Sequence, residues 1–427
     1  MDHNINKEGY FIFNNDVILT TGYKRAIIHN LSSGSIYSID ESSKNILSKI
    51  LSGLSIEEAL ISFSEDIKLE FYNFLDKLCY LGVGRYCSYS KISGKILFNK
   101  IIHKQFDTVW LEITKKCNEK CIHCYGDYGF CYKNKELSIN EWKKVINDIS
   151  RFVVKKIVII GGEPLLNNDL FEIINYCRQK VRDTEIVLYS NLVLFDTING
   201  LNNKFVQLLK SNNIKVVTSI YSNNNKIHND ITKLNGSFER TISAVKCLRK
   251  NNIYIKANIV VMKYNFNDLK KTKDFVYYIT GRVPGVDIVR DVGSSKISLL
   301  PSFFKGDPRI LNKASFKPVG KDKFIKNYSG NSCFQGKINI TANGYISPCI
   351  MSEKFIDENY NVKNNTIDNI LDEYIIPKFW SLSKDKNKKC SMCEYRYVCK
   401  DCVPQNGDLY IPNIFCKYNP VEGKWNG

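Results

Sequence analysis

The chain has 427 residues, more than one hydrophobic core ordinarily holds, so two or three domains are expected. Hydrophobic residues make up 44% and aromatics 12%, which is enough for a substantial globular core. No charged segment followed by an apolar stretch opens the sequence and no run of about 18 apolar residues occurs, which argues against secretion and membrane spanning and for a cytoplasmic location. The net charge of +18 comes from lysines scattered among asparagines and isoleucines rather than from one basic face, so a nucleic-acid partner is disfavoured.

Residues 9 to 39 hold three short β-runs, "YFIFNN", "AIIHNL" and "GSIYSID", separated by Asn, Asp, Gly and Ser turn signals. Three helical patterns follow: "ESSKNILSKILSG" ends at a glycine, "SIEEALISF" opens with Ser55 three residues before Glu58, and "LEFYNFLDKLCYLG" carries an apolar stripe. Three strands and three helices, complete by residue 90, make a winged-helix-like unit. Its helix "SIEEALISF" is acidic, which disfavours DNA groove insertion. A strand edge that pairs with an extended peptide is the better use.

From residue 106 strands and helices alternate. The strand candidates are "TVWLEI" at 108, "KIVII" at 156, "EIVLY" at 185, "IKVVTSI" at 214, "IYIKANIVV" at 253 and "VDIV" at 286. Ser138 and Glu141 form a capping box, after which Ile139, Trp142, Val145, Ile146 and Ile149 line one helix face. Six β/α units predict an α/β fold with a parallel sheet, open or curled into a partial TIM-type barrel, with ligands at the carboxyl ends of the strands. After residue 300 the alternation fades into a loop-rich region with Pro301, Pro308 and Pro318 and a cysteine-dense tail that bound metal would hold together. The expected domains are therefore 1–95, 96–305 and 306–427.

Fifteen cysteines in a reducing compartment point to metal or cluster ligation before disulfides. Cys79, Cys87, Cys131, Cys177 and Cys247 sit singly in apolar contexts and read as small buried hydrophobes. Cys117, Cys121 and Cys124, in "CNEKCIHCYG" directly after the first strand of the alternating region, are spaced differently. Structural zinc closes with four ligands in two close pairs, and only His123 or Cys131 lies near enough to complete such a set. Three thiolates on a 4Fe-4S cluster would instead leave one iron open to a substrate or cofactor.

That loop resembles the signature of the radical S-adenosylmethionine superfamily, whose cluster and cofactor generate a 5'-deoxyadenosyl radical that takes hydrogen from substrate. The resemblance assigns catalysis and cluster ligation to Cys117, Cys121 and Cys124, and places His123 where the family has an aromatic residue near the adenine. The turn "GGEPLL" ends the second strand, and its two glycines let backbone approach a ligand. By resemblance Gly161, Gly162, Glu163 and Pro164 form the site for the cofactor's amino group. Ser190 and Asn191 in "LYSN" resemble the ribose and carboxylate contacts, and Ser219 ends the fourth strand. The segment with His228, Asp230, Gly236 and Phe238 resembles one common among peptide-modifying members, where His228 either touches substrate or enters a helix structurally.

Seven further cysteines follow, including four thiols within the thirteen residues of "CSMCEYRYVCKDC"; one zinc site needs four, so more than one centre is expected. The arrangement resembles the SPASM domain, which holds two auxiliary 4Fe-4S clusters. By position Cys333, Cys349 and Cys402 would hold the first, and Cys390, Cys393, Cys399 and Cys416 the second. The spacing of Cys399 and Cys402 departs from the commonest pattern by one residue. "YRYVCKDC" and "CKYNPVEGKW" are similar to the grasp-with-spasm peptide maturases, and the N-terminal unit to a PqqD-like leader recognition domain.

These resemblances imply an enzyme that binds three 4Fe-4S clusters and S-adenosylmethionine and matures a ribosomally synthesised precursor peptide by a thioether or carbon-carbon crosslink. The leader would bind residues 1–95. An ATP-grasp ligase would share the pathway, and flavodoxin or ferredoxin would donate electrons. The rival readings are a formylglycine-generating sulfatase activator, a peptide epimerase and, from a different class, a basic zinc-ribbon protein that binds nucleic acid.

Overall fold

The structure, a computed structural model, describes residues 9–92, 102–126, 128–129, 135–195, 201–301, 319–399, 402–412 and 416–426. Cys131, Pro308 and Pro318 lie outside them. The chain divides into two compact units: residues 1–101, 306–332 and 382–427 form one, and residues 102–305 and 333–381 the other. The segment 306–427 expected as one domain is thus shared between both. Cys390, Cys393, Cys399, Cys402 and Cys416 fall in the first unit, and Cys333 and Cys349 in the second.

In the first unit, strands β1 (Tyr10–Phe13), β2 (Val17–Thr21), β3 (Ala26–Asn30) and β4 (Ser35–Ile39) precede helices α1 (Glu41–Leu51), α2 (Ile56–Leu60) and α3 (Glu65–Tyr80) and strand β5 (Gly84–Cys87). The pairing differs from the expected three-strand run. "YFIF" leaves its neighbours to pair antiparallel with β5, and "VILTT", which the run pattern does not mark, takes its place in the sheet β2-β3-β4. The switch buries Phe11 and Phe13 against Leu75, Leu78 and Val83. Side chains of this size contribute about 1.5–3 kcal/mol each when fully buried. The expected capping box of Ser55 and Glu58 forms, and Asp40, not marked by the sequence reading, caps α1 by accepting from Ser43 N at 2.8 Å.

Packing and hydrogen bonds tie the cysteine-rich tail to the N-terminal strands of this unit. Ile18 and Leu31 of the sheet region pack with Val319, Phe324, Tyr397 and Val398. Tyr23 N donates to Met392 O at 2.8 Å and Arg396 Nη1 to Thr21 O at 2.9 Å. The outer strand β4 has no further strand beside it among the described residues.

The second unit contains all six predicted strands: β6 (Thr108–Glu112), β7 (Lys156–Ile160), β8 (Glu185–Tyr189), β9 (Lys215–Ser219), β10 (Ile255–Val261) and β11 (Gly285–Ile288). Helices α4 (Ile139–Ile149), α5 (Leu170–Lys180), α6 (Leu201–Ser211), α7 (Asn225–Thr232), α8 (Ser237–Lys250) and α9 (Leu269–Thr280) fill the crossovers. The strands lie side by side and parallel in chain order, the arrangement that helical crossovers impose. The sheet then extends past β6 by β12 (Lys337–Ile340), parallel to β6, and β13 (Ile346–Ser347), antiparallel to β12. The result is a large, mostly parallel sheet. On α4 the capping box forms, and Trp142, Val145, Ile146 and Ile149 are buried as the stripe predicts.

Candidate functional site

The loop after β6 carries Cys117, Cys121 and Cys124, and the turn after β7 clamps it. Gly162 N donates to Thr114 O and Glu163 N to Lys116 O, both at 2.8 Å, while Cys117 N donates to Gly129 O at 3.2 Å. The clamp requires bare glycines. A Cβ on Gly162 would lie 2.3 Å from Lys116 O and 2.9 Å from Cys117 Cβ, and one on Gly161 would lie 2.6 Å from Thr114 O. The two glycines therefore let one backbone approach another, and they also line the cavity described below.

Glu163 is fully buried. Its carboxylate accepts from Leu165 N at 3.0 Å, Ser190 Oγ at 2.7 Å and Asn191 N at 2.7 Å. Asn191 Nδ2 in turn donates to Asn118 Oδ1 at 2.8 Å, which ties the ends of β7 and β8 to the cysteine loop. Burial raises Glu163 to about 7 against the opposing pull of these three donors. In this arrangement the carboxylate braces the loops, and neither Glu163 nor Pro164 is among the residues that line the cavity.

The cavity, of about 570 Å³, opens at the carboxyl ends of β6 to β11. All three cysteines face it, as do His123, Gly161, Gly162, Ser190, Asn191 and Ser219. Its walls are mostly apolar, with a strong aromatic share from Trp110, Tyr125, Tyr128, Tyr189 and Tyr221. His123 stands edge-on to Tyr221, with ring centroids 4.7 Å apart. Across the cavity, Arg290 Nη2 forks onto both carboxylate oxygens of Asp287 at 2.9 and 2.8 Å. Sequence reading missed Glu119, Tyr128, Asp287 and Arg290. The rule that ligands sit at strand ends points to Asp287 and Arg290, which flank the end of the sixth strand.

Several features of this wall fit an iron-sulfur cluster and a bound cofactor. Burial pushes the Cys117 thiol up to about 12 and the Cys121 thiol well above its ordinary value, so bare thiolates are disfavoured until a cation compensates them. Two buried polar atoms in the lining, His123 Nδ1 and Thr218 Oγ1, have no hydrogen-bond partner among the described residues. Among those residues no three Cys, His, Asp or Glu side chains converge as the ligands of one metal ion do. A cluster, whose cysteines each bind a different iron, needs no such convergence.

Other predicted residues lie elsewhere. His228 is buried at the start of α7, where its Nδ1 accepts from Tyr221 N at 3.3 Å and its ring packs between Tyr221 and Phe238. It does not line the cavity, so the structural reading of His228 holds in this arrangement. In the tail, Cys390 and Cys393 share one turn, closed by Cys393 N donating to Cys390 O at 3.0 Å. Cys177 is fully buried, and Cys79, Cys87 and Cys247 are half-buried.

Residues 111–276 match the sequence profile of the Radical SAM superfamily. Residues 111–276 therefore form a radical SAM domain, and the chain is an enzyme. It is 25% identical over 349 residues to the AdoMet-dependent heme synthase of Methanosarcina barkeri, covering 72% of this chain and 95% of that protein. It is 22% identical to the antilisterial bacteriocin subtilosin biosynthesis protein AlbA of Bacillus subtilis, covering 77% of this chain and 74% of that protein. Streptococcus suis SuiB, solved bound to the precursor peptide SuiA, shares the fold with a TM-score of 0.58 at 17% identity, over 96% of this chain and all of that one. Among the described residues no helix is long and apolar enough to cross a membrane.

Proposed function

We propose that the chain is a radical S-adenosylmethionine enzyme that modifies a ribosomally made precursor peptide. The observation that carries this reading is the set of three cysteines, Cys117, Cys121 and Cys124, on one wall of a cavity large and apolar enough for a peptide side chain. These cysteines would hold a 4Fe-4S cluster with one open iron. His123, Gly161, Gly162, Ser190, Asn191 and Ser219 would line the cofactor, while Glu163 and Pro164 would fix the turn that shapes its seat. When bound, the cluster and S-adenosylmethionine supply a 5'-deoxyadenosyl radical that takes a hydrogen atom from substrate. The protein's share is to orient the peptide and exclude water.

The peptide class is supported by the relatives, since SuiB was solved with a precursor peptide and AlbA serves bacteriocin biosynthesis. Within residues 9–87 the outer strand β4, half-buried over Ser35–Tyr37, offers an edge to which a leader peptide would add as a PqqD-like domain does. Cys390, Cys393, Cys399 and Cys416, all in one unit, would hold an auxiliary cluster. The product would be a thioether or carbon-carbon crosslink in a grasp-with-spasm pathway, with an ATP-grasp ligase beside it and a flavodoxin or ferredoxin as electron donor.

The test is direct. Reduced, anaerobically purified protein should contain iron and release 5'-deoxyadenosine from S-adenosylmethionine, and Cys121→Ala should abolish the release. Zinc in place of iron, or unchanged release from the variant, would refute the assignment.

A further inference from the structure

A chain of buried polar groups leads away from the cavity behind the first strand. Tyr125 and Tyr128 both line the cavity, their rings edge-to-face with centroids 5.9 Å apart. Tyr128 OH donates to Glu112 Oε2 at 3.2 Å. Glu112, the last residue of β6, is 3% exposed, and its other oxygen has no hydrogen-bond partner. That oxygen lies 3.6 Å from Lys115 Nζ, and the same ammonium is bonded to Glu353, whose side chain is 54% exposed. The chain therefore begins at the cavity wall and ends in solvent.

Two details hold the first link in place. Gly126 lies beneath the Tyr128 ring, where a Cβ would stand 2.2 Å from Cζ. Lys115 Nζ sits 5.8 Å from the centroid of the same ring. A carboxylate and a lysine this deeply buried are costly to fold. Tyr125, Tyr128, Lys115 and Glu353 are the titratable groups that face Glu112, with the Ala342 backbone amide as its remaining donor. Against them burial prevails and brings Glu112 up to about 7, so it exchanges a proton near neutrality.

We infer that Tyr128 and Glu112 form the route by which a proton leaves the cavity during peptide modification, Glu112 accepting it through the Tyr128 hydroxyl. This rests on the peptide-modifying reading above. Joining a C–H carbon to an X–H group removes two hydrogens as the C–X bond forms and both bonds to hydrogen break. One leaves as a hydrogen atom to the deoxyadenosyl radical. The other leaves as an electron, taken by an iron-sulfur centre acting as one-electron acceptor, and a proton. Tyr128 OH passes its own proton to Glu112 Oε2 and takes the substrate's in return. Lys115, between Glu112 and Glu353, keeps both carboxylates in line.

The test compares wild type, Glu112→Gln and Tyr128→Phe as cluster-loaded protein with matched iron content. Infrared difference spectra across neutral pH should show a carboxyl band in wild type that Glu112→Gln removes. With a synthetic precursor peptide that wild type crosslinks as probe, crosslinked product per 5'-deoxyadenosine should fall by at least about tenfold in both variants. Its pH profile near neutrality should flatten in Glu112→Gln. A wild-type ratio in both variants, or a carboxyl band that survives Glu112→Gln, overturns the proposal. If Glu112→Gln loads less iron, Tyr128→Phe decides by the same ratio. A wild type that releases no 5'-deoxyadenosine at all refutes the functional reading itself, and the route falls with it.

Discussion

Replacing Gly162 by alanine tests whether the turn after β7 holds the cysteine loop by backbone contact. The added Cβ would lie 2.3 Å from Lys116 O, whereas ordinary contact begins near 3.4 Å, so about an ångström must be made up. No flexible side chain can yield it, because the obstructing atom is a carbonyl oxygen that already accepts from Glu163 N. The loop that bears Cys117 must shift, at the upper end of the overpacking range, about 3 kcal/mol. For a unit of this size that lowers Tm by roughly 6–12 °C. Circular dichroism on heating, with iron counted after anaerobic reconstitution, measures both effects. Gly129→Ala is the control, since a Cβ there meets nothing within 4 Å in the same loop region. A Gly162→Ala protein with wild-type Tm and full iron would refute the clamp.

Two further outcomes follow from buried polar groups and caps. His29 is 1% exposed with neither ring nitrogen hydrogen-bonded, and burial holds it down to about 3. The unfolded chain therefore takes up a proton near pH 6.5 that the folded chain refuses, and this contribution to stability is lost as pH falls. Between about pH 7 and 5 wild type should lose about 2 kcal/mol more than His29→Leu, measured by urea unfolding at both pH values; parallel curves would contradict it. Ser138→Ala removes the acceptor for Glu141 N at the start of α4 and should cost about 1 kcal/mol, a fall of about 2–4 °C in Tm that a melting curve detects.

What was legible in the amino-acid sequence was whatever depends on neighbours in the chain. The six strands of the alternating region are apolar runs bounded by turns, and Ser55 with Glu58 and Ser138 with Glu141 mark helix starts by spacing alone. Pairings between distant segments left no such mark. "YFIF" looks like the first strand of a run, yet its partner is β5, some seventy residues on, because closing over α3 buries its two phenylalanines. "KINI" at 337 is too short to stand out, and only its register against β6 makes it a strand. The site divides the same way. The cysteine loop was readable from spacing, whereas the destination of the Glu163 carboxylate depended on Ser190 and Asn191 arriving from the next strand. Glu112 looked like an ordinary strand end until Tyr128 and Lys115 converged on it.

The strand β12 carries a practical warning. It covers the flank of β6 through a parallel ladder from Lys337 to Ile340, so the first strand of the radical SAM domain is finished by residues more than two hundred positions downstream. A truncation at residue 305 would strip that cover and leave the amide and carbonyl row beside Trp110 seeking other chains. Shortened versions would then self-associate before their chemistry could be assayed.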